Sequence, residues 1–72
     1  MKYEVLSSRH DIAEHCIGSF NADSDDDAKI NFYKKYVGQP GHAWDHLRLI
    51  QVVQERVEKH IETSDPDDRR ER

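Results

Sequence analysis

Apolar and polar positions keep one rhythm at the start of the chain, another in the middle, and an ambiguous one near the end. Over residues 2–8 they alternate, with Tyr3 and Val5 in one phase and Lys2, Glu4 and Leu6 in the other, the period-two pattern of a first strand. Residues 7–14, SSRHDIAE, read as a polar turn in which Ile12 and Ala13 could open the next strand early. Residues 15–22 resume the alternation, Cys16, Gly18 and Phe20 against His15, Ile17 and Ser19, and predict a second strand paired to the first as a hairpin. Gly18 inside that strand marks a bulge or a close approach of the element packed on it.

The period then changes to that of a helix over residues 23–38, DSDDDAKINFYKKYVG. Asp23 or Ser24 can cap the first free amides, and Asp25, Asp26 and Asp27 sit at the positive end of the dipole. Lys34 and Lys35 sit at the negative end. Gly38 stops the helix and Pro40 bars an early restart. Ala28, Phe32, Tyr36, Tyr33, Val37 and Ile30 are expected on one broad apolar arc facing a platform, with Asn31, Lys34 and Lys35 opposite.

Residues 39–45, QPGHAWD, are a turn-rich connection from which Trp44 is expected to plug the end of the core. Residues 46–62, HLRLIQVVQERVEKHIE, fit two periods. As strands they give a buried LRLIQVV, a reversal near Gln54 to Arg56, and a last strand alternating Val57, Lys59 and Ile61 with Arg56, Glu58, His60 and Glu62. As a helix from about residue 45 to 62, capped by Asp45, they put Leu47, Leu49, Ile50, Val53, Val57 and Ile61 on one face, and no Gly, Asn, Asp or Pro interrupts them. The strand reading is preferred, because a two-stranded hairpin alone is a poor platform for an amphipathic helix. The expected fold is therefore α+β, a small antiparallel sheet with one helix packed on one face in the order ββαββ, with ββαα as the alternative. Residues 1–62 form one domain. Residues 63–72, TSDPDDRRER, have no apolar member and are expected to be a disordered charged tail.

Composition narrows the picture in three ways. Seventy-two residues bury only about 60% of the surface their unfolded chain exposes, so the core is thin. The charge of −4, from 11 basic and 15 acidic residues, lacks the general attraction to phosphate of a nucleic-acid binder. Lys34 and Lys35 beside Tyr33 and Tyr36 are accounted for as helix-dipole partners, and Arg69, Arg70 and Arg72 are interleaved with acids, so base stacking by Tyr33, Tyr36 or Trp44 is not expected. A single cysteine, no signal-peptide pattern and no long apolar run set the expectation of a cytoplasmic chain without disulfide or membrane span.

Candidate chemistry is sparse. His42 and His46, spaced H-x3-H, with Cys16 or His15 are the best metal ligands on offer, but the Cys-x2-Cys half of a zinc site is missing, so no metal and no cofactor is assigned. Asn21, Asp23, Asp25 and Asp27 imitate a calcium loop that fails at Asp26, where glycine is needed, and at Phe32, where the bidentate acid belongs. Cys16 has no histidine placed by local geometry to activate it and reads as a small buried thiol under the helix. Apolar residues in both strand phases, Leu6 and Ile17 among them, suggest a second sheet face covered by a protein partner or a second copy. The acids Asp25, Asp26 and Asp27 form a further partner-binding candidate, an acidic knob for a basic protein.

No string of residues matches a family motif, and in size and layout the chain is similar to small phage or mobile-element proteins. The functional expectation is a non-enzymatic protein-binding module, an inhibitor of a larger complex, acting through the acidic helix start or the open sheet face. The alternative is a small zinc-binding or thiol-dependent protein built on His42, His46 and Cys16.

Overall fold

The computed structural model of the protein describes residues 1–55 and 57–66. It contains β1 (Lys2–Arg9), β2 (Ile12–Asn21), α1 (Asp25–Lys35), a short 3-10 turn (Pro40–His42), β3 (His46–Gln54) and β4 (Val57–Ser64). The strands form one antiparallel sheet in the order β2-β1-β3-β4, with α1 on one face, so the architecture is α+β with the order ββαββ. The helical alternative for the last third falls. Its β-branched residues pair as a hairpin in which Gln54 opposes Val57, and the side chains it adds to the sheet outweigh the missing Gly or Asn at the turn.

The helix forms where its ends are stabilised. Ser24 accepts the Asp27 amide through Oγ at 3.2 Å, three acids occupy the first turn and two lysines the last. It ends at Lys35, and Gly38, with φ of +84°, turns the chain away. Only Ala28 and Phe32 are fully buried, with Tyr36 half-buried beside them, and Ile30 and Tyr33 are exposed. The expected broad arc is therefore narrower: at about 100° per residue Ala28, Phe32 and Tyr36 fall within one quadrant, whereas Ile30 lies on the far side from Ala28.

Beneath the helix lie Tyr3 and Val5 of β1 and Leu47 and Leu49 of β3, with Ile17, Phe20, Val37 and Ile61 packed around them. Tyr3 stacks on Phe20 at 5.8 Å, and each buried side chain of this size contributes about 1.5 to 3 kcal/mol. Gly18 satisfies both expectations held for it. A register shift follows Gly18, with Ile17 as the extra residue, and a Cβ at position 18 would overlap the Tyr36 ring, whose Cζ would stand 2.9 Å away.

Several expectations are corrected. The turn between β1 and β2 is only His10 and Asp11, so β2 starts at Ile12. The bulge reverses the strand phase below it: Cys16 pairs with Leu6, on the face away from the helix, and Ile17 packs on the core. Cys16 is exposed rather than buried under the helix. Trp44 is 63% exposed and does not plug the core. β4 continues through Thr63 and Ser64, paired with Arg48 and Leu47, and Pro66 is buried, so the tail does not begin at residue 63. The remainder of the expected tail, residues 67–72, lies outside the described residues.

Candidate functional site

The densest polar arrangement is at the end of the sheet that the helix does not reach. After Gly38 the chain crosses back through the 3-10 turn, where the His42 amide donates to Gln39 O at 2.9 Å and the Asp45 amide to His42 O at 3.2 Å. This delivers Asp45, 4% exposed, onto β1. Its carboxylate accepts from Ser7 Oγ at 2.9 Å, from His42 Nδ1 at 2.8 Å and from Arg9 Nε, while a second Arg9 nitrogen donates to Gly41 O at 3.2 Å. Burial pushes the Asp45 carboxyl up, but the hydrogen bonds from His42, Arg9 and Ser7 together outweigh it and bring the pKa down to about 2. A cleft of about 330 Å³ opens beside this node, walled by Ile12, His15 and Ile17.

Serine, histidine and aspartate meet here, yet the arrangement is not that of a nucleophile. A serine hydroxyl has one proton, and Ser7 gives it to the carboxylate oxygen that also accepts from His42. A catalytic serine gives it to the imidazole instead. The node's chemistry is that of a fastener. It ties the connection between α1 and β3 onto β1.

Of the metal candidates, His15 and His42 line the same cleft, but His46 and Cys16 do not join them. His42 faces the cleft and bonds Asp45, whereas His46 pairs across the sheet with Ser8 and bonds Asp65 at 2.9 Å. Cys16 is on β2, its thiol directed to Gly18 O at 3.3 Å. Among the described residues no group of three or more His, Cys, Asp or Glu side chains stands in a metal-binding cluster.

The acidic helix start is only partly available. Asp25 accepts from Tyr3 Oη at 2.7 Å and from Lys59 Nζ at 3.2 Å, and those bonds hold its carboxyl below the usual range. The same bond, after burial itself, raises the Tyr3 phenol to about 12. Asp26 and Asp27 remain exposed.

The outer sheet face carries Leu6, Ile50 and Val52 but is not the greasy surface expected. Leu6 is 9% exposed and Ile50 fully buried. Arg48 forms a two-pronged bond to Glu14, at 2.8 and 3.1 Å, and approaches Glu58 at 4.0 Å. Ile17 has left this face altogether through the bulge.

What remains is the pair of sheet edges. β4 carries Glu58, Lys59 and Glu62, with Lys59 bonded to Asp25 and Glu62 accepting from Tyr33 Oη at 3.0 Å. β2, on the other side, has no charge from residue 16 to its end at Asn21. The helix leans toward β4 through those two bonds, so Phe20 and Ile17 on β2 are only half-buried and Ile12 is 45% exposed. Sequence reading missed the edge because strand order is not written in strand phase. The one signal was the uncharged run IGSFNA itself.

Compared with known proteins, the chain matches no family model, no curated protein and no solved structure. Among the described residues no helix is long and apolar enough to cross a membrane.

Proposed function

We propose that the chain is a non-enzymatic protein-binding module that takes an extended segment of another polypeptide onto the free edge of β2. The supporting observation is the difference between the edges. Proteins protect exposed edges with charge, and β4 is so protected while β2 from residue 16 onward is not. Strand addition supplies main-chain hydrogen bonds for affinity, and the half-buried Phe20 and Ile17 supply an apolar step for side-chain selection. A small inhibitor that occupies a strand-accepting site on a larger complex would act in this way. The reading moves the docking surface from the outer face and the helix start to the sheet edge.

Selection of a displayed library of random linear peptides on the immobilised protein tests it. Enriched peptides should slow amide exchange at Ser19 and Asn21, and binding should fall at least about tenfold in Ser19→Pro, which removes one edge donor. Peptides that instead protect the helix start, or bind Ser19→Pro as well as wild type, refute the edge.

A further inference from the structure

The edge has a parity, and the parity selects a partner. The Met1 amine donates to Ala22 O and the Ala22 amide to Met1 O, both at 3.0 Å, so this pair exchanges both hydrogen bonds. In an antiparallel ladder such pairs alternate with pairs that exchange none. Tyr3 with Phe20 and Val5 with Gly18 therefore point their amides and carbonyls at each other across β1 and β2, and Ser19 and Asn21 point theirs outward.

Resting on the reading of β2 as the docking edge, we propose that its partner is a second copy of this chain, added antiparallel about a two-fold axis through Phe20. The two sheets then form one continuous eight-stranded sheet. In this register Ser19 of each copy opposes Asn21 of the other, and those are the residues whose donors and acceptors face out. Phe20 meets its own symmetry mate as a non-bonded pair, where opposing Cα atoms come closest, at about 4.5 Å. The existing stack of Tyr3 on Phe20, 5.8 Å between centroids and 20° between planes, is extended into a row of four rings. Gly18 opposes Ala22, so no bulky group is forced against Tyr36, which already covers Gly18.

Neighbouring registers are poorer. Centring on Ser19 sets Asn21 against the bulge residue Ile17, and centring on Asn21 sets Asp23 against Ser19 and draws the two acidic helix starts together. The two-fold places both helices on one side of the joined sheet, and each leans away from the junction toward its own β4. Charge selects the conditions. Two chains of −4 repel, and the contact itself is uncharged, so association strengthens as salt rises. The paired stretch is short against a standard interface of about 1,600 Å², so the dissociation constant belongs between about 1 µM and about 1 mM.

Sedimentation equilibrium from about 10 µM to about 1 mM, at about 0.05 M and about 0.5 M salt, is the test. The expected result is a monomer–dimer equilibrium that tightens with salt and weakens at least about tenfold in both Ser19→Pro and Ser19→Lys, each checked for folding by circular dichroism. In a Cys16→Ser background, mild oxidation of a mixture of Ser19→Cys and Asn21→Cys should cross-link the two variants faster than either with itself. A monomer at every concentration overturns the second-copy proposal and leaves the edge to the peptide selection. A dimer indifferent to Ser19→Pro and Ser19→Lys forms through another surface and likewise overturns the second-copy proposal. A dimer that responds to them without the mixed cross-link overturns the register.

Discussion

One face of the sheet is covered in two different ways. Beneath α1 the inward positions of β1 are Tyr3 and Val5, met by Phe32, Ala28, Leu47 and Leu49, and cohesion comes from apolar area. Two steps further along the same strand the inward positions are Ser7 and Arg9, met by the connection from Gly38 to Asp45, and cohesion comes from hydrogen bonds converging on one buried carboxylate. The difference shows what a chain of this length can do where its helix stops. It has too few apolar residues to roof the whole face, so the uncovered end is closed by a polar node whose members satisfy one another.

The comparison breaks most visibly at Phe32. Removing its buried ring leaves a void under the centre of the helix, and Phe32→Ala should cost about 3 to 5 kcal/mol. Against a total stability of roughly 4 to 10 kcal/mol for 72 residues, that brings the protein close to unfolding at room temperature, as urea denaturation would show.

A smaller loss is expected where helix and edge strand touch. In Gly18→Ala the new methyl meets the outer end of the Tyr36 ring, which must swing aside, at a cost of about 1 to 3 kcal/mol. The contact is specific, so the same substitution in a Tyr36→Ala background should cost almost nothing. A full penalty in both backgrounds would mean that backbone freedom at residue 18, and not ring packing, is what glycine supplies.

These elements differ in how far the sequence disclosed them. The helix was legible because its signals are local: Ser24, the three acids, the two lysines and Gly38 lie within 15 residues of one another and act on the same amides and carbonyls. β1 was legible because it carries no extra residue, so Tyr3 and Val5 keep the phase read for them. β2 and β4 were legible as strands but not in phase, since an extra residue at Ile17 and another at Ile61 each reverse which side chains face the helix. Leu6 and Ile17 could then look like one outer patch when the bulge places them on opposite faces. The Asp45 node was not legible, because its partners on β1 lie 36 and 38 positions away from it. Its only trace was the turn of the inward phase of β1 from Tyr3 and Val5 to Ser7 and Arg9.

The polar half gives the smallest effect and the clearest sign. Folding lowers the Asp45 carboxyl from 3.8 to about 2, so the folded state favours the ionised form. A lowered carboxyl contributes stability that is fully present above its unfolded value and is lost as pH falls through its folded value, which sets the window between about pH 4 and about pH 2. The loss should be on the order of 1 to 2 kcal/mol. Other carboxylates titrate in the same range, so the measurement is a difference: urea midpoints of wild type and Asp45→Asn at neutral pH and near pH 2. Asparagine cannot ionise and mimics the protonated acid, so the gap between the two proteins should be widest at neutral pH and close as the wild-type carboxyl takes up its proton. A gap that stays constant would mean that the charge of Asp45 contributes nothing beyond its shape, and the loop would then be held by packing, as the helix is.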